Sequence, residues 1–244
     1  MSSSPASFAP IRTPRAFEAI CDRIRGQIAE GQLRPGDKLP AERDLAQQFG
    51  VGRNALREAL RSLEIAGVVR LQKGVKGGAF ITAGDPRRMD VVVGDMLSLG
   101  SISVDELAEA RLHMQDLVVR LACERAQAAD FEAIARNIDR TAALTRDGDY
   151  LGRVECSREF YALLAAAAHN QVLSMLAHSI TEILMRFVYA RVAAGGPPQP
   201  RLVEKRRAFL SALEARDAGA ATKLMRTHLA SVHRLLASAG HASP

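Results

Sequence analysis

A mostly α-helical protein in two parts is predicted: a small, basic N-terminal domain with one β-hairpin, then an all-α bundle of about six or seven helices. Three observations predict it. Residues 51–67, VGRNALREALRSLEIAG, place Arg53, Arg57 and Arg61 four apart, so that in a helix they stack along one face. Leu56, Ala59, Leu60 and Leu63 fall on the face that a helix buries. Directly afterwards, residues 68–72 and 79–81 flank a basic, glycine-rich tip, Lys73-Gly74-Val75-Lys76-Gly77-Gly78, the pattern of a two-stranded ribbon. Beyond residue 86 no strand pattern interrupts a helical spacing of Ala, Leu, Val and Ile. Aromatic residues are only 5% of the chain and Trp is absent, so the core must be aliphatic.

In chain order, residues 1–13 are rich in Ser, Ala and Pro and are expected to be a disordered tail. From Pro14, the residues Phe17, Ile20, Cys21, Ile24 and Ile28 mark a helix that ends at Gly31. Pro35-Gly36 signals a turn, and Pro40 opens a short helix over 41–49, where its missing N–H costs nothing. Phe49-Gly50-Val51-Gly52 breaks the chain before the basic helix. Residues 14–81 make the first domain and 82–85 a linker, because Asp85-Pro86 reads as the cap and first turn of a new helix. Helices are then expected over 89–99, 104–128, 131–145, 150–168, 171–192, 202–215 and 218–236, within a second domain of residues 86–238. Asp147-Gly148, Asn170, Gly195-Gly196-Pro197-Pro198 and Gly219 punctuate them.

The formal net charge is +6, and its distribution says more than its size. Residues 1–82 hold 13 Lys and Arg against 8 Asp and Glu, whereas the remainder holds 20 against 19. The basic excess sits in the first third, where a polyanion would bind. Cys21, Cys123 and Cys156 are far apart, odd in number and form no CxxC, as expected of reduced core thiols in a cytoplasmic protein. No run approaches the length of a membrane span, and the N-terminus lacks a signal peptide's apolar core, so no membrane partner is expected.

A short amphipathic helix, a glycine turn, a basic helix and a basic hairpin are, in that order, the parts of a winged helix-turn-helix, whose partner is double-stranded DNA. Any one arginine alone would read as a solvated helix face; the ordered combination separates the two readings. Arg53 stands at the start of the basic helix, the end that enters the major groove in this motif, and is expected to contact a guanine edge. Lys73 and Gly74 at the hairpin tip are expected at the minor groove or its phosphates, with Lys76 adding long-range attraction. No G-x-S-x-G, Walker loop or dinucleotide fingerprint is present, so no catalytic residue is assigned and no cofactor is expected. Two alternatives to a ligand-responsive DNA-binding protein stay open at this point. One is an enzyme using a carboxylate pair; the other is a DNA-binding dimer whose C-terminal bundle senses nothing.

The stretch GQLRPGDKLPAERDLAQQFGVGRNALREALRSLEIAGVV resembles the N-terminal domain of the GntR family of bacterial transcriptional regulators. The residues that carry the likeness are Gly31, Leu33, Pro35-Gly36, Leu39-Pro40, Glu42-Arg43, Leu45-Ala46, Phe49-Gly50-Val51, Arg53, Arg57-Glu58-Ala59-Leu60, Leu63 and Gly67. The resemblance implies a homodimer on a palindromic operator and adds Arg43 and Arg57 to the expected DNA contacts. It departs at Gly52-Arg53-Asn54-Ala55, where the family more often has Ser or Thr before the arginine and Thr-Pro or Thr-Val after it. Gly52 cannot cap a helix through a side-chain oxygen, and Asn54 would alter which base edges are read.

An all-helical second domain of this length resembles the FadR-like branch, whose helical domain binds a ligand. Ala110-Arg111-Leu112, with Gln115 where a glutamate is usual, resembles its opening helix. Ser157-Arg158-Glu159-Phe160-Tyr161 followed by Asn170 resembles a segment that usually reads Asp-x-x-Phe-His followed by Asn. Residues 210–229 resemble the closing two helices. Many members hold a divalent metal with one Asp and three His, and those positions fall here on Ser157, Tyr161, Arg206 and His228. Only His228 matches, so the resemblance implies a site without metal. Arg206 would bring a fixed positive charge to the place of the cation, and a guanidinium binds carboxylate bidentately. Arg111, Ser157, Tyr161, Arg206 and His228 are therefore the expected pocket for a small organic acid effector. The competing reading leaves Arg206 and Arg207 facing solvent.

Overall fold

The computed structural model describes residues 16–74, 77–83, 87–195 and 198–237. The expected tail over 1–13, Lys76, linker residues 84 and 85 and the Asp85-Pro86 cap lie outside the described residues. The chain divides between Asp85 and Pro86 into two compact units.

The first unit contains α1 (Ala16–Ala29), α2 (Glu42–Phe49), α3 (Arg53–Ile65), β1 (Val69–Gln72) and β2 (Gly78–Ile81). Leu56, Ala59, Leu60 and Leu63 of α3 are each no more than 2% exposed and pack with Ile20, Cys21 and Ile24 of α1 and Leu45 and Ala46 of α2. Gly50 closes α2 at φ +65°, with its N–H on the Gln47 carbonyl and the next N–H, of Val51, on Ala46. That left-handed turn strains any residue with a Cβ, which is why glycine stands between the two helices. Gly52 starts α3 without a side-chain cap, as its composition requires. The hairpin is antiparallel, with Val69 opposite Ile81 and Gln72 opposite Gly78, and its alternation sends Val69, Ala79 and Ile81 into the core.

One feature of this unit has no counterpart in the sequence pattern. After Pro35-Gly36 the chain runs along the free edge of β2: Gly36 N–H reaches the Ile81 carbonyl, Ile81 N–H reaches Asp37, and Leu39 N–H reaches Ala79, each at 2.8 Å. These bonds satisfy backbone groups that an isolated hairpin would leave open, and they fasten the wing to the segment before α2.

The second unit has, among the described residues, seven helices: α4 (Arg87–Ser98), α5 (Val104–Arg125), α6 (Ala128–Arg146), α7 (Tyr150–Ala167), α8 (Gln171–Ala193), α9 (Leu202–Glu214) and α10 (Ala218–Ala237). The central helix α7 packs on α5, α6 and α8; α10 packs on α5 and α9; α4 lies on α8. Several starts are capped by side chains, Asn170 among them as the punctuation predicts. Asn170 accepts from Leu173 N–H at 3.0 Å, and Asp149 accepts from Gly152 N–H at 2.8 Å. Ser103 and Glu106 form a reciprocal capping box.

Two expectations need correction. The helix expected over 104–128 ends at Arg125, and α6 begins at Ala128 rather than 131. Asp130 turns back to accept from Gln127 N–H at 2.8 Å, starting a new helix there. Arg216 donates to the carbonyls of Cys123 at 2.8 Å and Ala126 at 2.6 Å, taking up acceptors that a longer α5 would have used internally. The second correction concerns α8. Its 23 residues, at mean hydropathy 1.2 over the most apolar 18, are long and apolar enough to cross a membrane by length and composition. Its Glu182 instead pairs with Arg158 of α7, and Ser179 and Thr181 are buried in the bundle.

Candidate nucleic-acid interface and effector cavity

Arg53 is the first residue of α3, and Arg53, Asn54, Arg57 and Arg61 are all exposed on the face opposite the buried leucines. Arg57 Nε donates to Glu42 Oε2 of α2 at 2.8 Å, tying the two helices together across the turn. Arg43, on α2, donates from Nε to Asp44 at 3.2 Å. Both pairs are exposed and worth little net, so exchanging the carboxylate for a phosphate costs little. Lys73 and Gly74 are exposed just beyond β1, Gly74 at φ +105°, a conformation that favours glycine at the tip.

In the second unit, Ser157 and Tyr161 of α7, Arg206 of α9 and His228 of α10 line one cavity of about 50 Å³. The expected fifth member is elsewhere. Arg111 lies with its guanidinium carbon 4.3 Å from the centre of the Tyr161 ring and lines a separate groove of about 340 Å³ between α5 and α10. Tyr161 Oη is 2.6 Å from His228 Nε2, and His228 Nδ1 is 3.1 Å from Gln199 Nε2. Burial, followed by the charges of Arg206, Arg111 and Lys205, pushes the His228 pKa down to about 3, so the ring is neutral at pH 7. With the Gln199 amide donating to Nδ1, the ring proton sits on Nε2 and donates to Tyr161 Oη. The phenolic proton is then available to an acceptor in the cavity.

Arg206 is 2% exposed. Its Nη1 donates to Thr141 Oγ1 at 3.0 Å and its guanidinium carbon lies 4.2 Å from the Phe160 ring centre, while Nε and Nη2 have no hydrogen-bond partner among the described residues. Burial lowers its pKa to about 10, which leaves it protonated at neutral pH. The solvent-facing reading therefore fails for Arg206 and holds for its exposed neighbour Arg207.

Arg153 was missed by sequence reasoning. It lines the cavity, is 6% exposed, donates from Nη2 to the Gln199 carbonyl at 3.1 Å and sits 5.3 Å from the Tyr150 ring centre. Burial lowers its pKa as well. A signal for it existed, since Arg153, Ser157 and Tyr161 recur every four residues on α7. Gln199, which touches both Arg153 and His228, had none. Among the described residues no carboxylate pairs with Arg111, Arg153 or Arg206, and none lines the cavity.

The metal of related domains does not fit this donor set. Ser157 already donates its hydroxyl to the Arg153 carbonyl at 2.8 Å, Tyr161 presents a phenol, and Arg206 has no lone pair to give. Among the described residues no three His, Cys, Asp or Glu side chains converge.

A basic helix-turn-helix with a wing, and an all-helical unit enclosing a cationic cavity, define a DNA-binding transcriptional regulator with a ligand-binding domain. The comparisons agree. The family of bacterial regulatory proteins, gntR family, matches residues 17–81, and the FCD domain matches residues 106–231. A protein of Escherichia coli named as an L-lactate dehydrogenase operon regulatory protein is 34% identical over 226 residues, covering 90% of this chain and 85% of that one. The transcriptional regulator LutR of Bacillus subtilis is 27% identical over 213 residues, covering 86% and 95%. Among solved structures, a GntR protein of Streptococcus agalactiae shares the fold with a TM-score of 0.69 at 23% identity, over 89% of this chain and 99% of that one. The chain belongs to the GntR family and carries an FCD domain. These relatives are regulators of transcription, not enzymes.

Proposed function

We propose that this protein is a cytoplasmic repressor that holds a palindromic operator as a homodimer and releases it when a small organic acid enters the cavity between α7, α9 and α10. The observation that carries the reading is the cavity's lining, which among the described residues holds buried arginines and no acid. A buried guanidinium without a counter-charge costs several kcal/mol, roughly, so a fold that retains one is organised for an anion that comes and goes. Arg206 takes the carboxylate, Tyr161 donates its phenolic proton to it, and neutral His228 sets the direction of that proton. Arg111 supports Tyr161 from the other groove. L-lactate, in the name of one relative, belongs to the same chemical class.

On the DNA side, Arg53 reads a guanine edge, Asn54 and Arg57 contact the neighbouring bases or phosphates, and Arg43 supports them. Lys73 and Gly74 meet the minor groove. Two such helices spaced by about one turn of the duplex explain a palindromic site and gain affinity from effective concentration. The effector must favour one dimer geometry over another, since only differential affinity shifts DNA binding; a coupling of about 1–3 kcal/mol gives a 5–150-fold change.

Thermal-shift screening of organic acids, followed by fluorescence anisotropy on operator DNA with each hit, tests this. Acids that raise the melting temperature should lower operator affinity. Hits that leave DNA binding unchanged would favour a bundle that serves only to dimerise.

A further inference from the structure

The cavity is more basic than a single carboxylate requires. Arg153 and Arg206 reach it from different helices, α7 and α9, and are 6% and 2% exposed. Each is held by one hydrogen bond to a neutral acceptor and one aromatic face, Gln199 O and Tyr150 for the first, Thr141 Oγ1 and Phe160 for the second. Arg191 adds a third guanidinium to the lining, and among the described residues no Asp or Glu is present there. His228 contributes hydrogen bonds but no charge. A monoanion would neutralise one of the two buried guanidinium groups and leave the other without a counter-charge. Val154, Met185, Val188 and Leu202 make up much of the rest of the wall, so an unmatched charge there is costly.

We infer that the effector is a compact dianion, one negative group on Arg206 beside Tyr161 and the other on Arg153 beside Gln199. This rests on the reading of the cavity as the effector site and adds a second charged pole to it. The space sets the length. A cavity of about 50 Å³ is small, which favours a short dicarboxylate or a phosphate over a long acyl chain. Ser157 Oγ, whose proton is committed to the Arg153 carbonyl, keeps lone pairs that can accept a hydroxyl on the chain between the two poles.

Isothermal titration of the full-length protein at pH 7.5 with acetate, L-lactate, malonate, L-malate, succinate and inorganic phosphate tests the inference. At least one dianion should bind about 10-fold or more tightly than the monocarboxylate of similar length. Preference for a dicarboxylate identifies the source as a diacid, and preference for phosphate identifies a phosphorylated one. In Arg153→Gln the ratio of dianion to monoanion affinity should fall toward one, and Arg153→Lys should restore part of it; melting curves of both variants establish that they fold. If monocarboxylates bind as tightly as dianions and Arg153→Gln leaves the ratio unchanged, the second pole does not exist, while the cavity remains an anion site. If none of the six probes binds to the folded wild-type protein, the dianion and the effector-site reading fall together.

Discussion

The Tyr161 hydroxyl and His228 Nε2 are 2.6 Å apart inside the helical unit, joining α7 to α10. Its companion bond at the other ring nitrogen, the Gln199 amide donating to Nδ1, works only while the imidazole is neutral. Two protons would give His228 no acceptor at Nδ1 for Gln199 and would add a charge beside Arg206 and Arg111. His228 therefore acts in this cavity as a neutral hydrogen-bonding group.

A pH dependence of stability follows. The folded pKa of His228, about 3, lies below the ordinary value of 6.5, so between these limits the unfolded chain binds a proton that the folded chain refuses. The contribution is complete above pH 6.5 and is lost as pH falls toward 3. From pH 7 to pH 5 the wild type should lose about 1–2 kcal/mol more stability than His228→Asn, measured by urea unfolding at both pH values. Parallel losses in the two proteins would mean that His228 ionises freely.

The donor set also makes a prediction about metal. Purified protein should hold well under one equivalent of Zn, Ni or Mn, and a chelator should leave the melting temperature unchanged. Elemental analysis giving a stoichiometric metal would overturn the roles assigned to Ser157, Tyr161 and Arg206.

Local chemistry decided what could be read before the structure. The helix-turn-helix was legible because Leu56, Ala59, Leu60 and Leu63 bury one stripe and Gly50 must take a left-handed turn, both consequences of neighbouring residues. The positions of Ser157, Tyr161, Arg206 and His228 came through resemblance to a metal-binding pattern, and periodicity alone would not have joined α7, α9 and α10. Arg153 was hidden by composition, since an arginine on a helix usually faces solvent; only its spacing from Ser157 and Tyr161 marked it. The edge contacts of Gly36 and Leu39 with β2, and the reach of Arg216 to the end of α5, connect residues at least 40 apart, and no local pattern encodes them.

At the DNA interface, Arg53→Ala should cost about 1–3 kcal/mol and relax the preference at one operator position, as expected for a guanidinium on a guanine edge. Anisotropy titrations against operators mutated one base pair at a time measure both effects. Uniform weakening across all of them would assign Arg53 to phosphate instead. Lys73→Ala should lower the salt slope of binding by about one unit or less, and an unchanged slope would mean that the wing points away from the duplex.

Arg206 separates stability from sensing. A buried guanidinium with Nε and Nη2 unpaired lowers the stability of the ligand-free fold, and its one side-chain acceptor has other partners: Thr141 Oγ1 also donates to the Asn137 carbonyl at 2.9 Å. Arg206→Met keeps the aliphatic contact with Phe160 and removes the charge, so the ligand-free variant should be equal in stability or more stable, by up to about 1–4 kcal/mol, the range found when buried ion groups are replaced by apolar ones. It should also lose the thermal shift given by organic acids and the release of operator DNA that accompanies it. Arg53→Ala should do the reverse, keeping the ligand-induced shift while binding the operator weakly. An arginine retained for structure would give the opposite sign, a marked loss of stability in Arg206→Met with the ligand response preserved in whatever remains folded. Chemical denaturation without ligand and thermal shifts with ligand, run on the same two variants, decide between them.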